Sequence, residues 1–147
     1  MRKVVFLARL FVSCVFIAAG ILKLRDYDLT LIAIYQYDLM SWENSGRLAA
    51  ALPWLEMAGG VGLWIPRLRL GGATLCLGLS ALFIAALASA VSRGLDVSCG
   101  CFGTADLHVT AMKRLGEDVV LLILCFGLWF FEARSIQAQL QFKLGGV

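Results

Sequence analysis

LRLGGATLCLGLSALFIAALASAVS, residues 68–92, is an almost unbroken apolar run with no charged residue after Arg69. A helix of about 20 largely apolar residues crosses the hydrocarbon layer of a bilayer, so this run by itself argues for a membrane span. Three further windows read the same way: residues 4–22, residues 48–65, and a last one centred on 119–131 whose ends extend it to 117–134. The chain of 147 residues is 61% hydrophobic, whereas soluble domains are about 45–50% apolar. Its mean hydropathy is +0.85. The expectation is an all-α protein, an integral membrane four-helix bundle forming a single domain over residues 1–147, with no room for a soluble unit beside it.

The first window does not read as a cleavable signal peptide. Its apolar run is too long, lacks a small-x-small cleavage site and gives way to Lys23-Leu24-Arg25-Asp26. Small residues mark where spans should touch, because they let backbones approach closely in lipid. Gly59, Gly60 and Gly62 do so in the second window, and Gly71, Gly72, Ala73 and Gly78 in the third. Between the first two windows, residues 26–46 carry Tyr27, Leu29, Ile32, Tyr35, Leu39 and Trp42. This mixture is too polar to span and too apolar to float free, so it is expected to lie at the headgroup boundary, as an aromatic anchor or as a lid over the bundle.

Basic residues set the orientation, and here they divide almost evenly. With the N-terminus inside, Arg2, Lys3, Arg9, Arg67, Arg69, Arg134 and Lys143 are cytoplasmic, against Lys23, Arg25, Arg47, Arg93, Lys113 and Arg114 outside. The compact turn Arg67-Leu68-Arg69 and the basic N-terminus tip the balance, since short loops beside spans weigh most. The loop after the third window then faces the extracytoplasmic side, where disulfides form and persist.

That loop holds Cys99-Gly100-Cys101-Phe102-Gly103. A disulfide wants its Cα atoms roughly 4.4–6.8 Å apart, so residues i and i+2 are bridged only across a sharp bend. Gly100 permits that bend because it reaches positive φ without steric cost. A ring so small closes little chain entropy and stores strain, which makes a reducible, oxidising disulfide a better reading than a structural staple. The runner-up reading is that the pair holds a soft metal such as Cu(I) or Hg(II). For that use Met57 and Met112 are a thin supply of further soft donors. His108, the lone histidine, could be a third ligand beside the thiols, but no obvious fourth donor completes a closed zinc site.

Two charges sit where lipid makes them costly: Lys23 at the end of the first window, and Glu56 a few residues into the second, after Pro53 and Trp54. An ion pair between them would satisfy both. Alternatively, Glu56 relays protons or Lys23 raises the thiolate fraction of a nearby cysteine. Cys14, Cys76 and Cys125 lie within apolar windows and read as small buried hydrophobes. Lys113, Arg114, Glu117 and Asp118 read as headgroup-level charge where the last window begins.

Three stretches taken in order resemble the MauE/DoxX-like family of membrane proteins: Ala19-Gly20-Ile21-Leu22-Lys23-Leu24-Arg25-Asp26, Leu52-Pro53-Trp54-Leu55-Glu56, and Arg93 through Gly103 with its Cys-Gly-Cys-Phe-Gly motif. The likeness runs over roughly residues 6–120. DoxX relatives share the Gly-x-x-Lys and Pro-x-x-Glu pieces without the cysteines, so the thiol pair points to the MauE branch. The resemblance implies a four-helix integral membrane protein associated with thiol redox. It further implies methylamine utilisation, a thioredoxin-like partner and a periplasmic, disulfide-containing client.

The leading functional expectation is a membrane thiol:disulfide redox protein in which Cys99 and Cys101 cycle between dithiol and disulfide, supported by Gly100, Phe102, Gly103, Lys23, Glu56 and Trp54. It is a candidate thiol:disulfide oxidoreductase. Electrons would pass to or from a thioredoxin-like partner; a quinone could be the terminal acceptor near Trp54 and Glu56, though no residue pattern establishes such a pocket. The other readings are a soft-metal binding membrane protein and a noncatalytic scaffold that docks a redox partner. No nucleic-acid partner is expected.

Overall fold

A computed structural model describes residues 2–93 and 111–144, without the side chains of residues 2, 111–114, 136 and 138–144. It is all-α: α1 (Arg2–Arg25), α2 (Tyr27–Gln36), α3 (Trp42–Gly62), α4 (Arg69–Ser92) and α5 (Ala111–Leu144), with no strand among the described residues. Lys23 and Arg25 occupy the last turn of α1, where cations complement the exposed carbonyls. Helix α2 ends at Gln36, and two residues on Asp38 turns the chain with a left-handed φ of 51°. Asp tolerates that region better than most residues, and the Asp38 amide donates to the Tyr35 carbonyl at 2.9 Å to close the helix end.

The second apolar window begins its helix at Trp42 rather than at residue 48, and the helix ends at Gly62 rather than at 65. The early start follows from α2, which lies along the first turns of α3. There the Tyr27 hydroxyl donates to the Gly46 carbonyl at 3.2 Å, and Ser45 and Ala49 are buried. Among the described residues two helices, over Lys3–Arg25 and Arg69–Ser92, are long and apolar enough to cross a membrane.

Pairs of close neighbours give the directions. Gly20 faces Pro53 and Met57 while Gly60 faces Ser13 and Ile17, so α1 and α3 are antiparallel. Gly62 meets Gly72 and Gly59 meets Cys76, which makes α3 and α4 antiparallel. Ser80 lies 3.8 Å from Cys125, and Leu115 packs against Leu87 and Ala90, so α4 and α5 are antiparallel as well. The chain therefore leaves the described residues at Arg93 and rejoins them at Ala111, with both points at the α2 end of the molecule. Cys99, Gly100, Cys101, Phe102, Gly103 and His108 lie outside the described residues.

The expected small-residue contacts divide. Gly59, Gly60, Gly62 and Gly72 are buried at helix crossings, whereas Gly71 and Gly78 face open space. Gly72 is the tightest: a Cβ there would stand 2.8 Å from both the Gly62 carbonyl carbon and the Leu63 nitrogen. Those are backbone atoms and cannot swing aside. Gly72→Ala is expected to cost about 1–2 kcal/mol through overpacking, while Gly78→Ala should be neutral or slightly stabilising; thermal unfolding in detergent compares the two. Equal melting temperatures would disprove the assignment of Gly72 to the α3–α4 crossing.

Candidate functional site

The chemistry of the described residues concentrates at the α2 end. Gly20 and Lys23 stand one turn apart on α1, and Pro53 and Glu56 one turn apart on α3, so both pairs lie on a single face of their helices. A Cβ at Gly20 would approach the Pro53 carbonyl oxygen to 2.8 Å. The missing side chain thus lets the two helices close up, and one turn on, Lys23 Nζ donates to Glu56 Oε1 at 2.6 Å. The side chains are 4% and 1% exposed. The ion pair expected from the sequence is formed, and the Gly-x-x-Lys and Pro-x-x-Glu pieces are two halves of one contact.

The Lys23 ammonium also sits over the Phe83 ring of α4, 5.2 Å from its centroid. A cation on an aromatic face gains roughly 2 kcal/mol when water is excluded. Glu56 Oε2 is buried and accepts no hydrogen bond. Two spaces adjoin the pair. One, of about 80 Å³, lies under α2 between α3 and α4, and its walls include Thr30, Ala33, Tyr37, Leu48, Leu82 and Phe83, with Lys23 as a polar member. The other, of about 20 Å³, brings Asp118 of α5 beside Lys23 and Glu56.

Asp118, in the first turns of α5, lines this small space and its Oδ2 is buried, a placement that the sequence did not suggest. Trp54 is another residue placed elsewhere, 62% exposed and not among the residues around the Lys23–Glu56 pair. Cys76 and Cys125 are buried as expected, but Cys14 is exposed on α1 and packs no core. The reason is its position on the helix: its neighbours Val12 and Ser13 take the inward face.

Sequence reading missed a second ion pair. Arg9 of α1 donates to Glu132 of α5, with side chains 12% and 10% exposed, at the end away from α2. Its signal was present in the spacing. Asp118, Cys125 and Glu132 recur every seven residues, as do Arg9, Phe16 and Lys23, so each set lies on one helix face. Ser13 continues this polar interior, donating to the Gly60 carbonyl at 2.9 Å and accepting from Trp64 Nε1 at 2.9 Å.

The α2 end is tied to α4 by Arg93, which donates to the Asp38 carbonyl at 3.2 Å and to the Tyr37 carbonyl. The residue that fastens α2 therefore also begins the connection bearing the thiol pair.

A family model described as methylamine utilisation protein MauE matches residues 1–131. The chain belongs to the MauE family. Among its MauE relatives, the methylamine utilization protein MauE of Methylophilus methylotrophus is 37% identical over 119 residues, 80% of this chain and 60% of its own length. The chain thus spans under two thirds of that relative. The MauE protein of Methylorubrum extorquens is 32% identical over 93% of this chain and 75% of its own length. That of Paracoccus denitrificans is 33% identical over 85% and 68% respectively. No solved structure matches the chain. MauE membership together with the two apolar helices makes this a membrane protein, and the Lys23–Glu56 contact lies within the matched MauE region.

Proposed function

We propose that this protein is a thiol:disulfide redox component of the inner membrane, working in methylamine utilisation through Cys99 and Cys101. In this reading the chain is one domain, a four-helix bundle of α1, α3, α4 and α5 in the bilayer, with α2 at the outer interface. What supports it is an inverted polarity: Val4, Phe6, Leu7, Phe11, Ile123 and Phe126 face outward, while Lys23, Ser45, Glu56, Ser80 and Glu132 are buried. Lipid favours that arrangement and water opposes it.

The observation that carries the redox reading is where the thiol-bearing connection is anchored. Arg93 and Ala111 both stand at the end that holds the buried Lys23–Glu56 contact and the α2 cavity. A thiolate attacks a disulfide sulfur of a thioredoxin-like or periplasmic client; its electron pair forms the new bond, and the old bond's pair goes to the leaving sulfur. The second thiol then resolves the mixed disulfide.

Trapping tests this. The variants Cys99→Ser and Cys101→Ser, alkylated on lysis and separated without reductant, are expected to yield one variant that accumulates a mixed disulfide with a thioredoxin-fold or disulfide-containing protein. The double variant should lose growth on methylamine when it replaces the wild type. No adduct from either variant, together with full growth of the double variant, would refute the proposal in favour of a scaffold. Stoichiometric Cu(I) binding by the pair without thiol exchange would refute it in favour of a metal site.

A further inference from the structure

An open groove of about 650 Å³ runs between α1 and α5 at the end away from α2. Along α5 its lining begins at Ile123 and ends at Arg134 and Ser135, and apart from those last two every residue around it is apolar or glycine. Gly127 leaves the middle of the groove open, since a Cβ there would meet nothing within 4 Å. At 1.5 Å per residue the stretch from Ile123 to Ser135 is roughly 18 Å long. One leaflet supplies about 15 Å of hydrocarbon, half of the bilayer core. The groove is therefore about one leaflet deep.

Its polar end lies at headgroup level, because Arg134 closes the last apolar window and the polar residues Ser135 and Gln137 follow. This end of the molecule is positively charged. Lys3 stands at the start of α1, and Arg67 and Arg69 flank the turn between α3 and α4. Among the described residues the only carboxylate here is Glu132, and Arg9 already holds it. Arg134 itself sits over the Phe130 ring, 4.4 Å from its centroid. The ring steadies the guanidinium at the mouth of the groove, and a guanidinium presents its N–H donors as a fork that matches two phosphate oxygens.

An apolar trough one leaflet deep with a cation at its headgroup end fits an acyl chain and its phosphate. A second copy of the chain fits less well, since two copies facing each other across a twofold axis along the membrane normal would bring Arg134 against Arg134. Nor do residues 136–144 fold back to fill the groove, because they continue α5 to Leu144. A choline headgroup would add its own positive charge to an end that is already positive, so the charge pattern selects an anionic lipid.

We propose that the α1–α5 groove binds one anionic phospholipid of the leaflet opposite α2, the inner leaflet in the reading above, with an acyl chain lying along Gly127 and the phosphate on Arg134. The site requires no thiol chemistry. The seated chain covers apolar surface between the two helices that Arg9 and Glu132 join, and so completes their packing.

Native mass spectrometry tests this on the full chain, delipidated in detergent and titrated with phosphatidylglycerol or phosphatidylcholine of the same acyl composition. The wild type is expected to bind its first phosphatidylglycerol about fivefold more tightly than its first phosphatidylcholine, the discrimination that one cation confers at a membrane surface. Arg134→Gln should bring that ratio close to one. Arg47→Gln removes the same charge at the α2 end and should leave the ratio unchanged. Gly127→Leu fills the groove, keeps every charge and should weaken the first phosphatidylglycerol several-fold. Equal binding of the two lipids by the wild type would overturn the proposal. So would a preference that survives Arg134→Gln or falls as far in Arg47→Gln, or binding that Gly127→Leu leaves intact. Dimers that phosphatidylglycerol does not dissociate and that Gly127→Leu abolishes would overturn it in favour of a second copy. Arg134 is exposed, so its variant leaves the core untouched and keeps the test decisive even where Gly127→Leu folds poorly.

Discussion

Lys23→Met should destabilise the folded protein by about 3–5 kcal/mol, the range found when one member of a buried ion pair is removed. The methionine nearly matches the lysine stem in length and apolar character, so packing against Phe83 changes little and the loss reports on charge. Without the ammonium, Glu56 Oε1 loses its 2.6 Å donor at a position 1% exposed. Asp118, which lines the same small space, loses the nearby positive charge with it. Replacing both partners tells a different story. Lys23→Met with Glu56→Leu removes the charge and its partner together, and apolar replacement of a whole buried pair is often close to neutral. The double variant should therefore recover more than half of the single variant's loss. Denaturant unfolding in mixed micelles measures the wild type, Lys23→Met, Glu56→Leu and the double variant, and a double variant as unstable as the sum of its singles would mean that the pair is not coupled.

Glu132→Ala is expected to cost about 3 kcal/mol, the lower end of that range, because its pair keeps a tenth of its surface exposed. The guanidinium of Arg9, on a side chain only 12% exposed, would be left without its carboxylate. Exchange of the two charges, Arg9→Glu with Glu132→Arg, should restore a substantial part of the loss, and a double-mutant cycle extracts the coupling. A coupling near zero would mean that the contact is incidental to how α5 lies against α1. Together the two pairs hold α1 near both of its ends, to α3 at Lys23 and to α5 at Arg9.

The α content was legible because apolar runs of span length leave few alternatives, and residues 68–92 match α4 almost residue for residue. The Lys23–Glu56 contact was legible for a related reason: two charges inside apolar windows must find each other or leave lipid. Asp118 and Glu132 were less so. Each stands at the edge of its apolar run, where composition alone cannot separate an inward charge from one at the headgroups. Only the seven-residue recurrence with Cys125 reveals a shared face, and that pattern acquires meaning once α1 is known to lie opposite. Trp54 shows the converse. Its place two residues before Glu56 invites a shared role, yet two residues along a helix turn the side chain well away from its neighbour. Cys14 went the same way, since a place within an apolar helix does not decide which face a residue takes.

Arg93 has a mechanical consequence. Its guanidinium grips the Tyr37 and Asp38 carbonyls just past the end of α2, while its own backbone leads the chain on toward Cys99. A partner that docked on α2 and levered it outward would strain this fastening first. The pull would reach residue 93, the root of the cysteine-bearing connection, so force applied to α2 is handed directly to the backbone that leads on to Cys99.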